Sequence, residues 1–225
     1  MSYSNSGVAV AAYIVEKITG MSYENYVEQT FFKPLEMSKS TFLLNDDVIN
    51  YGATLYKGGI QPQDYRHIIL RPSGALNTSA SDLSNLLTFF IQRGEFNNKT
   101  LLKDDSLQRM ETVTSTNAAQ EGQKLGYGLT NYLKPYKQYQ YRQHNGAIHG
   151  GLSNFSYLPE FQLGHAIMIN ADNFSAMAEI SNAISEYETS QLPENIVEPE
   201  MEINKHHKSI EGYYYKINAR SSLFE

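Results

Sequence analysis

The 225-residue sequence contains no cysteine and no tryptophan. Without cysteine there is no disulfide, no thiolate metal ligand and no thiol nucleophile. Charge is sparse, at 19% of residues, and leans negative, with 18 Lys and Arg against 24 Asp and Glu. A net charge of −6 argues against a nucleic-acid or anionic-membrane partner. No long apolar run is present; the stretch from Val8 to Val15 is too short to span a bilayer. The first residues lack the basic n-region of a signal peptide, and localisation is left unassigned. No Gly-x-Ser-x-Gly elbow occurs. Lys57-Gly58-Gly59 and His149-Gly150-Gly151 lack the spacing of a phosphate-binding loop. The pair His206-His207 has no third ligand at useful spacing, so neither a metal nor another cofactor is expected.

What is present is a hydrophobic fraction of 41% with 17 Tyr and 10 Phe, enough for one domain with a substantial core. Residues 6–18 read as a helix stopped by Gly20. Its apolar positions run nearly all round, which predicts burial between layers. A second helix follows over 22–32, with Ser22 as N-cap, Glu24 in the first turn and Pro34 as terminator. Residues 45–72 read as irregular. Ser79 and Asp82 approximate a capping box before the helically spaced Leu83, Leu86, Leu87, Phe90 and Ile91, and a shorter helix is expected over 104–111. Four β-rich runs then succeed one another at 127–133, 139–144, 153–158 and 163–169, as in an antiparallel sheet. A closing helix over 176–187 completes an α+β pattern. Past Leu192 the composition turns to Glu, Pro and Asn, dividing the chain into a domain at 1–190 and a polar linker or tail at 191–225.

Two short motifs carry chemistry. Tyr3-Ser4-Asn5 opens the first helix, and His144-Asn145-Gly146 ends a predicted strand before His149-Gly150-Gly151 and Pro159-Glu160. Together with Thr19-Gly20-Met21-Ser22-Tyr23, Pro34-Leu35-Glu36-Met37 and Pro72-Ser73-Gly74-Ala75-Leu76, they resemble the serine β-lactamase and penicillin-binding-protein family, whose signature is S-x-x-K, S-D-N and K-T-G. The branch it looks closest to is class C-like, with Tyr-x-Asn and His-x-Gly as second and third motifs. The resemblance extends over about 2–187. It implies an antiparallel sheet flanked by helices, here lacking the N-terminal strands and the Ser-x-x-Lys helix. No serine in the sequence has a lysine three positions on. Thr30, Thr54 and Thr100 do, with Lys33, Lys57 and Lys103, as chance allows in a chain this rich in both. The final Gly212-Tyr213-Tyr214 is similar to the first strand of a C-terminal β domain found in some relatives.

The resemblance also implies site roles. Tyr3 and His144 would be catalytic: Tyr3 shuttles protons beside the nucleophile, and His144 offers the acyl group a hydrogen bond or, if protonated, a positive charge. Asn5 would hydrogen-bond the substrate amide, Gly146 would let substrate backbone approach, and Ala147 would donate its amide to the oxyanion. Asn145 and His149 would line the same cleft. A structural alternative has Asn5 or Ser6 capping the first helix and Tyr3 in a frayed terminus. Two functions are then expected. In one, the chain is a truncated serine hydrolase, inactive as written, whose parent acts on a β-lactam, a D-Ala-D-Ala peptide, an ester or an amide. In the other, it is a non-catalytic derivative that binds peptide or cell-wall fragments. An uncovered sheet edge would favour self-association.

Overall fold

The computed structural model describes residues 3–114 and 126–193, so the tail expected at 191–225 lies, from 194 on, outside the described residues, and its expected strand with it. Helix α1 (Asn5–Thr19) begins where the Ser4 hydroxyl accepts the Gly7 N–H and ends on the left-handed Gly20. Ser4, rather than Asn5 or Ser6, is the cap. Helix α2 (Tyr23–Val27) is capped by Ser22 and widens into a π turn at Glu28–Phe32, after which Pro34 cannot continue the ladder. Helix α5 (Ala80–Ile91) follows the Ser79 cap, and α6 spans Asp104–Glu111. A short helix α4 (Arg71–Gly74) and a hairpin of β3 (Glu95–Phe96) with β4 (Lys99–Thr100) complete the helical half.

Residues 45–72 are not irregular throughout. They hold α3 (Asp46–Tyr51), capped by Asn45, and a hairpin of β1 (Leu55–Lys57) with β2 (Gln61–Gln63). The hairpin docks on the main sheet, because the Tyr56 N–H lies 3.1 Å from Gly150 O and 3.0 Å from Asn170 O. The first predicted strand is also displaced. Residue Tyr127 forms only an isolated bridge with Tyr132, and the strand is β5 (Tyr132–Tyr136).

The main sheet is an antiparallel meander, β5-β6-β7-β8, with β6 at Tyr139–Ile148, β7 at Gly151–Leu158 and β8 at Leu163–Ile169. His144 pairs with Phe155 and Gly146 with Ser153. Side chains alternate along a strand, so Arg142, His144, Phe155 and Tyr157 share the face that meets α5, where Phe90 packs on Phe155 and Tyr157. The other face receives α7 (Phe174–Thr189). There Met177 packs on Leu152 and Ile167. Buried His165 bridges Glu188 and Ser181, and Tyr141 donates to Glu188 at 2.8 Å.

A second core, of Phe32, Leu35, Met37, Phe42, Phe89 and Phe96, joins the π turn to α5. Helix α1 departs from expectation. Only Ala12 is buried, while Val8, Val10, Tyr13, Ile14 and Ile18 are exposed. It packs on α2 and α4 along one side, and among the described residues nothing covers the remainder, so the all-round apolar pattern is not matched by all-round burial. No helix among them is long and apolar enough to cross a membrane.

Asp82 ties the helical half together. Its carboxylate accepts the Lys39 N–H, the Ser40 hydroxyl and the Ser79 hydroxyl at 2.8, 2.8 and 3.1 Å, and it is buried. Asp82→Ala strands these donors and should lower the unfolding free energy by about 3 kcal/mol. Urea titration followed by far-UV circular dichroism checks this, with the midpoint falling and the slope unchanged.

Candidate active site

Tyr3 stands one residue before the cap of α1, and His144 lies on β6, 141 positions further along the chain. The fold brings them together. Their ring centroids are 6.1 Å apart, and the Tyr127 ring closes the group at 6.1 Å from Tyr3 and 5.9 Å from His144. Tyr132, at the start of β5, stacks on Tyr127 at 5.7 Å. Tyr127 is held by a turn, since Gly128 N–H donates to Asn131 O at 2.7 Å and Leu129 N–H to Met110 O at 2.8 Å.

The hydrogen bond of His144 assigns its tautomer. Nδ1 lies 2.8 Å from the Asn145 carbonyl oxygen, which accepts only, so Nδ1 carries the proton and Nε2 presents a lone pair. Burial pulls the imidazole below its ordinary pKa, and the weaker opposing effect is the bond to Asn145. An imidazole held below its ordinary pKa is mostly neutral near pH 7. Burial, and then the neighbouring Tyr3 and Tyr132, push the Tyr127 phenol up to about 12, so it stays a neutral donor. Arg142, on the same face as His144, is engaged by Glu111 at 3.1 Å and Glu160 at 2.8 Å.

Gly146 follows His144 on that face. A Cβ there would fall 2.3 Å from Ser153 Oγ, so glycine leaves the strand surface open beside the imidazole. Ala147 is exposed opposite Leu152. The Asn145 side chain belongs to the other face, where its Oδ1 accepts from Asn154 at 2.8 Å; what it contributes at the cluster is its carbonyl. His149 sits in the exposed turn after β6, and Asn5 is exposed in the first turn of α1.

Tyr127 was absent from the expected site, because an aromatic run beside β-branched neighbours reads as strand. Its flanking glycines, Gly126 and Gly128, were the available sign of a turn presenting a ring.

His144 should titrate below 6.5, with Nδ1 protonated and Nε2 bare at pH 7, in a nitrogen-detected NMR titration. The sign for stability follows. The unfolded imidazole takes up its proton at a higher pH than the folded one, so this group's contribution falls as pH drops through 6.5. A midpoint above that value, or a protonated Nε2, would contradict the geometry.

The β-lactamase family profile matches residues 1–186. β-Lactamase-like protein 1 of Dictyostelium discoideum is 27% identical over 165 residues, which is 63% of this chain and 26% of that protein. Among solved structures, the octameric penicillin-binding protein homologue of Pyrococcus abyssi superposes with a TM-score of 0.65 at 25% identity, covering 85% of this chain and 44% of that one. The β-lactamase of Sulfitobacter sp. EE-36 superposes with a TM-score of 0.70 at 18% identity, covering 84% and 60%. The chain thus spans from about a quarter to three-fifths of these relatives. Sequence profile and fold agree, and the chain belongs to the β-lactamase family.

Proposed function

We propose that this chain carries the proton-transfer and substrate-cradling half of an acyl-transfer site, of the kind that opens a β-lactam, a D-Ala-D-Ala peptide, an ester or an amide. The observation that carries the reading is the meeting of Tyr3 with His144 at 6.1 Å. In this reading the phenol of Tyr3 takes the proton of an attacking hydroxyl and passes its own to the bare Nε2 of His144. A neutral imidazole is the form able to accept it. The Gly146–Ala147 edge of β6 receives the acyl group, with the Ala147 amide donating to the oxyanion, and Asn5 reaches the substrate amide. Asn145 orients the imidazole through its carbonyl, and His149 borders the open end of the strand.

The attacking hydroxyl in this family belongs to the serine of Ser-x-x-Lys, a motif these 225 residues do not contain. The chain by itself therefore forms no acyl-enzyme. A binding role remains open to it, supported by the exposure of Tyr3, Gly146 and Ala147.

Both halves of the reading are measurable. Incubation with a fluorescent penicillin and with a fluorophosphonate, followed by denaturing gel and intact mass, should give no covalent adduct. An adduct on any residue overturns that half. Titration with a D-Ala-D-Ala peptide should perturb the NMR signals of Tyr127 and His144; unchanged signals at millimolar peptide overturn the assignment of the site.

A further inference from the structure

Glu111 closes α6 and is only 6% exposed. A carboxylate there is costly twice over, since it is removed from water and stands at the negative end of a helix dipole. Arg93 Nη1 donates to both its oxygens at 2.8 and 2.9 Å, and Arg142 Nε lies 3.1 Å away. Apolar residues of similar volume would fill such a site as well or better, so packing alone does not account for three charged groups here.

The other group that hydrogen-bonds Glu111, besides Arg93, is the Tyr157 hydroxyl, at 2.7 Å. A phenol has one hydrogen. Because Glu111 takes it, the oxygen of Tyr157 is left to accept, and it accepts from Asn131 Nδ2 at 2.9 Å. Tyr157 and Asn131 are 1% and 5% exposed, so water does not compete. Asn131 in turn closes the turn that begins at Gly128. That turn lies directly on the end of α6: a Cβ on Gly128 would come 2.2 Å from Met110 O and 3.0 Å from Glu111 C. Tyr127, the residue before it, is the ring that packs on His144 and Tyr3.

We propose that Glu111 is a positioning residue for the Tyr3–Tyr127–His144 cluster, acting through Tyr157 and Asn131 on the turn that carries Tyr127. The assignment rests on reading that cluster as the substrate-facing site. Glu111 sets the direction of the Tyr157 hydroxyl, the hydroxyl holds Asn131, and Asn131 keeps the Tyr127 ring against the imidazole. The rings facing His144 are Tyr3 and Tyr127, so withdrawal of Tyr127 re-exposes the imidazole to water.

Three variants of the full chain separate this role from simple stabilisation. Tyr157→Phe removes the relay oxygen and keeps the core ring. Glu111→Gln keeps the shape and removes the charge. Glu160→Gln cuts only the outer contact of Arg142. The readout is the NMR titration of His144, assigned with His144→Gln, beside a thermal melt of each protein. Tyr157→Phe and Glu111→Gln should raise the His144 midpoint toward 6.5, and Glu160→Gln should leave it in place. A Tyr157→Phe protein that melts earlier with an unchanged His144 midpoint overturns the proposal, as does an equal shift in Glu160→Gln. If Glu111→Gln does not fold, Tyr157→Phe decides alone. The titration needs no turnover, so it stands or falls separately from the labelling and peptide experiments on function.

Discussion

The register of β6 on β7 is the constraint on which the rest depends. His144 faces α5 because it stands opposite Phe155, whose ring is held by Phe90. A slip of one residue would turn every side chain of β6 to the other face. His144 would enter the layer occupied by Tyr141, His165 and Glu188, and Tyr139, Tyr141 and Gln143, now buried there, would be forced toward α5. Burial on both faces excludes that slip. The consequence is that one imidazole is delivered to the rings of Tyr3 and Tyr127 and another, His165, is sealed into the opposite interface.

The electrostatics of the two layers differ in kind. Around His144 the neighbours are rings and a carbonyl, so burial dominates and both the imidazole and the Tyr127 phenol are held neutral. Charge is confined behind them, in the Arg93–Glu111–Arg142–Glu160 row. Buried ion pairs are poor sources of net stability but strong sources of geometry, because each donor has one direction in which it is satisfied. The result is a neutral ring cluster backed by a fixed charged frame.

Much of this was legible in the sequence, for identifiable reasons. The Ser79 cap with Asp82 three residues later announced α5, and alternating aromatic and β-branched residues announced β6, β7 and β8. Tyr3 and His144 came from motif resemblance, which no periodicity would have supplied. What was missed was short or contextual. Helix α3 has six residues and the β1–β2 strands three each, too few for a period to emerge. Tyr127 looked like strand because propensity does not distinguish a ring in a strand from one beside it. Glu111 carried no signal beyond its place at the end of a short helix, since nothing local reveals that two arginines from other elements converge on it. Helix α1 erred the other way: apolar residues on every side promise burial only where a partner surface exists.

The claim that these elements assemble one site depends most directly on the proximity of Tyr3 to His144, joined from distant parts of the chain. Nuclear Overhauser measurement on the selectively labelled protein tests it. Cross-peaks from the ring protons of both Tyr3 and Tyr127 to His144 Hε1 or Hδ2 are predicted by centroid separations of 6.1 and 5.9 Å. Tyr127 cross-peaks without any from Tyr3 would contradict the account, leaving His144 without its partner and Tyr3 as an ordinary chain terminus.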